Sequence, residues 1–296
     1  MPSIRALSAF SLLALLIAPR FAGAAFPNPI LWNKLGSTSE ITTSAYGPNL
    51  GFYNDDYPFD VDVAATPAYV PGEFGNAASI SGSYNTPYRM HNIVWSNVNQ
   101  YLNPERGTIE AWYKQNSDPV AFDHGVYRIF DGSYGLGSGI GLTSEVPSGP
   151  AQLYFGMDFG GTPVGVSSNI SAFNGSWIHV AGVWDRNGIA STADKVRLYV
   201  NGNKVAANTS GAWGTSVGLL ADIAGGNDAN IAGQFAVDNL KVWDGPITDF
   251  SQRFNESFIP EPALLPLGAV VLLGFSRRKR PNRRTAWRSS GSSRST

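Results

Sequence analysis

The chain has 296 residues, 12% of them aromatic, with 33 Gly, 19 Pro and no Cys, which removes disulfides, thiol chemistry and thiolate metal sites. Its formal net charge of −1 conceals a segregation: residues 25–258 hold 21 acidic against 11 basic side chains, a net of −10, whereas eight Lys or Arg and no acid follow Ser276. An acidic body disfavours nucleic acids and polyanionic glycans as ligands and suits a divalent cation.

Residues 1–24 read as a signal peptide. Arg5 supplies the positive start, Ala6 to Ala18 the apolar run, and Ala22-Gly23-Ala24 a small-residue cleavage site. Cleavage after Ala24 and export are expected. Export without disulfides favours a bacterial source, so the Asn-x-Ser sequons at Asn169, Asn174, Asn208 and Asn255 carry little weight.

From Phe26 to Val70 the chain is rich in Pro, Asn and Asp, and reads as an opening strand around Ile30-Leu31-Trp32 followed by a long decorated loop. Within it Asp55, Asp56, Asp60 and Asp62 lack the spacing and glycine of an EF-hand loop, which favours a solvated acidic loop. Regular strands begin at Gly75–Ser81. Gly107–Gln115 alternates, with Thr108, Glu110 and Trp112 on one face and Ile109, Ala111 and Tyr113 on the other. Further strands fit Val126–Phe130, Gly139–Thr143, Gln152–Phe159, Val164–Ser168, Val217–Ile223 and Phe235–Trp243.

The stretch Trp177–Ala207 anchors this pattern. Trp177 to Trp184 is apolar on both faces and reads as a central strand. Val196, Leu198 and Val200 then alternate with Arg197 and Tyr199, the wetter face, and Asn201-Gly202 suits a type I′ turn that returns the chain through Lys204–Ala207. Roughly a dozen strands result, enough for two packed sheets in one domain over 25–258.

Residues 259–280 lie outside that sandwich. Pro260-Glu261-Pro262 precedes thirteen residues, Ala263 to Phe275, and then Arg277-Arg278-Lys279-Arg280. The apolar run, read as a short hydrophobic helix, falls short of the roughly 20 residues of a comfortable membrane span. Its basic flank belongs in the cytoplasm by the positive-inside rule. Residues 281–296 are rich in Arg and Ser and read as disordered.

These last features resemble the PEP-CTERM sorting signal of Gram-negative bacteria, with Pro260, Glu261 and Pro262 matching its motif. The resemblance implies an exosortase-type sorting peptidase as partner, transient anchoring in the inner membrane, and delivery to the cell surface or extracellular matrix. The sixteen residues after Arg280 exceed what such signals usually carry. The body resembles the LamG-like branch of the concanavalin A-like lectin/glucanase superfamily. Four pieces carry the likeness: Gly72–Ser81, Gly107–Trp112, Trp177–Asp185 with Leu198–Gly202, and Val237–Trp243. It implies an all-β, two-sheet antiparallel jelly roll, a fold that hosts lectins, hydrolases, lyases and inert modules alike.

Glucanases of this fold carry a Glu-x-Asp-x-(x)-Glu pattern. No Glu here has an Asp two positions later, and Glu110 stands alone on its strand as a solvated or hydrogen-bonded residue. His179 matches a recurring structural His of the family, while His124 with Tyr127 and Arg128 is a weak imitation of a lyase cluster. The resemblance implies one structural Ca²⁺, with Asp238 as the last-strand carboxylate, Gly75 as the nearest match to a glycine carbonyl, and a further carbonyl from around Ile30–Trp32. A last-strand Asp that only bonds backbone amides is the competing reading. Tyr84, Tyr88, Trp95, Tyr134 and Trp213 fall in expected loops, where rings could stack on sugars; Tyr84, Trp95, Tyr134 and Trp213 are the candidate ligand residues. The function expected is non-catalytic binding of carbohydrate or protein outside the cell. The alternative is a glycan-active hydrolase or lyase with unrecognised catalytic groups.

Overall fold

Short runs of alternating residues, punctuated by turns, pair into fifteen strands among the residues described by the computed structural model, which are 27–52, 67–79, 93–115, 126–132, 139–145, 150–226 and 235–257. The strands are β1 (Pro29–Asn33), β2 (Gly51–Phe52), β3 (Ala68–Pro71), β4 (Asn76–Ser79), β5 (Ile93–Ser96), β6 (Arg106–Gln115), β7 (Val126–Asp131) and β8 (Ile140–Glu145). They continue as β9 (Gln152–Met157), β10 (Val164–Asn169), β11 (Trp177–Asp185), β12 (Val196–Val200), β13 (Asn203–Asn208), β14 (Leu220–Gly226) and β15 (Phe235–Trp243). One short helix, α1 (Thr38–Thr42), follows β1; Ser37 caps it by accepting from the Glu40 amide.

All described pairings are antiparallel. Sheet I runs β13-β12-β11-β6-β15-β4-β3, with β1 also paired to β15; sheet II runs β10-β9-β8-β7-β14-β5-β2. This is the all-β, two-sheet jelly roll expected from the sequence. Phe235–Trp243 is a strand with the expected bounds, and Asn201 (φ 51°) and Gly202 (φ 80°) both take the positive φ of a type I′ turn. The short C-terminal hydrophobic helix falls on residues 263–275, outside the described residues, as do the sorting motif and the acidic group Asp55–Asp62. No described helix is long and apolar enough to cross a membrane.

The main core lies between the sheets. Ile109, Tyr113, Val180 and Trp184 of sheet I meet Phe130, Leu142, Leu153 and Phe155 of sheet II. A side chain at Gly182 would strike the Phe155 ring. Gly182→Ala is therefore expected to lower stability by about 1–3 kcal/mol through overpacking, read as a lower urea midpoint at unchanged slope.

The outer face of sheet I is also covered. The chain leaving β15 folds back, and Ile247 and Phe250 pack on Ala181, Val183, Tyr199 and Trp243 as a second cluster. That is why β11 is apolar on both faces. It also corrects one expectation: Arg197 and Tyr199, read as the wetter face of β12, are both buried. Arg197 there pairs with Asp194 (2.9 Å) and donates to Thr192 Oγ1 (2.7 Å).

Candidate functional site

Three polar constellations stand out, each placed by strand alternation. The first lies on the outer face of sheet I. Glu110 of β6 and His179 of β11 are 8% and 2% exposed, and His179 Nε2 meets Glu110 Oε2 at 2.8 Å. Trp243 Nε1 donates to Glu110 Oε1 at 2.9 Å. Burial pushes the Glu110 carboxyl up, but the His179 contact, with Lys241 and Trp243, outweighs it and holds the group below the usual carboxylate range. The ring of Phe250 lies 5.1 Å from that of His179. Glu110 is thus a paired carboxylate under a cover, and His179 is its structural partner.

The second constellation lies on the outer face of sheet II. Arg128 of β7 is aligned with Thr143 of β8 and Tyr154 of β9, and Asp131 is aligned with Asp222 of β14 and Gly141. Alternate residues Phe130, Leu142 and Phe155 turn to the core. Arg128 pairs with Asp131 at 3.0 Å and with Asp222 at 3.1 Å. Beside this ionic cluster the Tyr154 ring lies along the sheet across Gly156 and Gly165, where any side chain would strike it. Tyr127 points the other way, its ring 4.8 Å from that of Phe235. Tyr127 and Arg128 therefore occupy opposite faces, which separates two members of the weak lyase imitation; His124 lies outside the described residues.

The third constellation surrounds Asp238, where the neighbour of β15 changes. Ala236 and Val237 pair with β4, whereas Leu240 to Trp243 pair with β1, and Asn239 between them takes a positive φ of 53°. Asn239 is held from the β1 side: its amide donates to Lys34 O (3.2 Å), and its Oδ1 accepts from Trp32 Nε1 (2.6 Å). Asp238 is fully buried. Its Oδ2 accepts from the Phe74 amide at 2.8 Å, while Oδ1 finds no partner. Burial pushes this carboxyl up to about 7, against the amides of Phe74, Glu73 and Asn239, and the Glu256 carboxylate adds to the rise.

Calcium is the ion the sequence resemblance implies, and the donors here suit it. A methyl group on Gly36 would sit 2.5 Å from Glu40 Oε2 and 2.7 Å from Asn76 O, and one on Gly72 would sit 2.6 Å from Asp238 Oδ2 and 3.1 Å from the same Asn76 O. One main-chain oxygen therefore stands between two carboxylates, next to a buried carboxylate oxygen without a partner. Among the described residues no three His, Asp or Glu side chains form a ready cage, so main-chain oxygens must complete any such set, as is usual for Ca²⁺. Gly75 supplies the positive φ (68°) of the β3–β4 turn, and its carbonyl accepts from the Gly72 amide at 2.9 Å. The carbonyl facing the carboxylates belongs to its neighbour Asn76.

The aromatic candidates separate. Trp95 belongs to β5 and is fully buried, its ring packed on Tyr101 and Phe130. Trp213 lies in a loop but is 1% exposed; its Nε1 donates to Pro104 O (2.8 Å) and the Arg186 guanidinium sits 4.9 Å from its ring. Neither presents a stacking face, which corrects the expectation for both. Tyr84, Tyr88 and Tyr134 lie outside the described residues. Glu40, Asn76 and Tyr154 were missed. Ser37-Thr38-Ser39-Glu40 carries the spacing of a helix-capping box, a signal that could have ordered Glu40.

The architecture has known counterparts. The receptor binding domain of botulinum neurotoxin C/D mosaic serotype matches with a TM-score of 0.53 at 14% identity, over 74% of this chain and 48% of that one. The botulinum neurotoxin serotype D binding domain gives 0.54 at 12% identity over 78% and 52%, and the type G receptor binding domain 0.51 at 13% over 77% and 51%. The chain spans about half the length of these domains, and at such identities the likeness is one of fold. No curated protein matches the sequence. The profile of the concanavalin A-like lectin/glucanases superfamily matches residues 91–250, over half of the 296 residues, and with the two-sheet architecture this shows that the chain belongs to that superfamily.

Proposed function

We propose that the chain is an exported, non-catalytic binding module of the bacterial cell surface or extracellular matrix, sorted there by an exosortase-type peptidase acting at Pro260–Pro262. Its jelly roll is steadied by Ca²⁺ at Asp238, and its ligand is a neutral carbohydrate or a protein. The observation that carries the non-catalytic reading is the state of the carboxylates. Glu110 lines a small pocket with His179 and Trp112, but both its oxygens are engaged, one by His179 and one by Trp243. Asp131 and Asp222, which face each other on sheet II, share one guanidinium. Glycoside hydrolysis needs one carboxyl that keeps its proton near neutrality, and the one described carboxyl raised that far, Asp238, is fully buried and bonded to the Phe74 amide.

The outer face of sheet II is the ligand surface in this reading. The half-buried Tyr154 ring suits the apolar face of a sugar, while Arg128 and Asp222 beside it are themselves buried and hold the strands beneath the ring rather than meet the ligand. The full-length chain on a glycan array is expected to retain a small set of neutral glycans, with Tyr154→Ala weakening retention about tenfold or more while the melting temperature holds. Unchanged retention in Tyr154→Ala moves the ligand elsewhere. Product release from a retained glycan, seen by mass spectrometry, overturns the non-catalytic reading. In the producing cell, the mature protein is expected to have a mass that begins at Ala25 and ends near Pro260; a mature protein that keeps its tail defeats the sorting reading.

A further inference from the structure

The segment that leaves β15 is fastened unevenly. Its start is held on both sides of one hydroxyl: Thr108 Oγ1 donates to Gly245 O (2.9 Å) and accepts from the Ile247 amide (2.8 Å). Its end is held loosely. Trp112 Nε1 reaches Arg253 O only at 3.4 Å, and Phe254, 60% exposed, leans its ring on Trp112 at 5.3 Å. The last firm contact is an ion pair, Glu256 with Lys34 at 3.1 Å, both side chains about one-third exposed. Such pairs contribute little by themselves.

That pair stands at the mouth of the Asp238 junction. Glu256 and Lys34 line one cleft with Glu40, Glu73 and Asn76. Behind it lies the fully buried Asp238, whose Oδ1 has no partner. Lys34 belongs to the N-terminal segment and supplies the cleft with an ammonium. A divalent cation bound there would bring two charges to the same acids and compete with Lys34 for Glu256.

Resting on the calcium reading above, we propose that Glu256 is a cation ligand supplied by the C-terminal segment, so that cation binding at the β1/β4 junction clamps residues 251–257 to the body. Glu40, Asp238 and the Asn76 carbonyl form the fixed part of the site. Glu256 is the movable part, passed from Lys34 to the ion.

The test uses the full-length chain stripped of metal, titrated with Ca²⁺ and followed by calorimetry, melting and hydrogen exchange. A hundredfold excess over Kd is expected to raise the wild-type melting temperature by about 5–10 °C and to slow exchange of amides 251–257 about tenfold or more. Glu256→Gln should still bind Ca²⁺, about tenfold or more weaker, and show no added protection in 251–257. Asp238→Asn should bind none. If Glu256→Gln binds with wild-type affinity and gains the same protection, the clamp is overturned while the calcium site stands. If the wild type takes up no Ca²⁺, the site itself fails and the clamp with it.

Discussion

Glu110→Ala is expected to destabilise the protein by about 2–5 kcal/mol, because two buried donors are left without an acceptor at roughly 1–3 kcal/mol each. For a domain of this size that lowers melting by on the order of 10 °C. The cost arises because His179 Nε2 and Trp243 Nε1 lose their acceptors inside the cover formed by Ile247 and Phe250. Glu110→Gln keeps an acceptor but not the charge and should fall between wild type and Glu110→Ala. The pH dependence follows from the lowered pKa of Glu110. Its contribution is fully present above the unfolded carboxylate value and is lost as pH falls through the still lower folded value. Wild type and Glu110→Ala should therefore converge in strong acid. A loss below about 1 kcal/mol at neutral pH would show that the outer face is not sealed.

Asp238→Asn should do the opposite in metal-free protein. With its carboxyl pushed up to about 7 from 3.8, folded Asp238 keeps a proton that the unfolded chain releases. Stability from this group is full below the unfolded value, declines as pH rises toward 7, and is flat beyond. At 1.36 kcal/mol per pH unit the decline amounts to roughly 4 kcal/mol. Asn cannot ionise, and its side-chain oxygen can still accept from the Phe74 amide. Metal-free Asp238→Asn is therefore expected to match wild type near pH 4 and to exceed it by a few kcal/mol at pH 8, measured by urea unfolding. Parallel pH profiles would refute the raised pKa. Excess Ca²⁺ should reverse the order at pH 8, because only the wild type gains from the ion.

The sheet was legible in the sequence wherever a periodicity of two met a turn. Asn201-Gly202 and the alternation of Gly107–Gln115 needed no tertiary information. Burial of the second face did not show. Arg197 and Tyr199 look solvent-facing until the chain beyond Trp243 folds back over them. Trp213 illustrates the same limit for sites. Its loop position suggested exposure, but Pro104, 109 residues earlier, accepts its indole proton. Asp238 stood out in the sequence because its strand motif is local. Glu40 and Asn76 were missed because only the fold brings a helix cap and a hairpin carbonyl to one point.

The division of β15 between two neighbours also constrains the order of assembly. Leu31 aligns with Val242, and Ala78 with Val237, so the earliest strands of sheet I find their place only on its last strand. The strand that β1, β4 and β6 all need is the final one to emerge during synthesis. Until then sheet I has no centre. Contacts of such sequence separation make folding slow, and here sheet I cannot be completed before residue 243 is available.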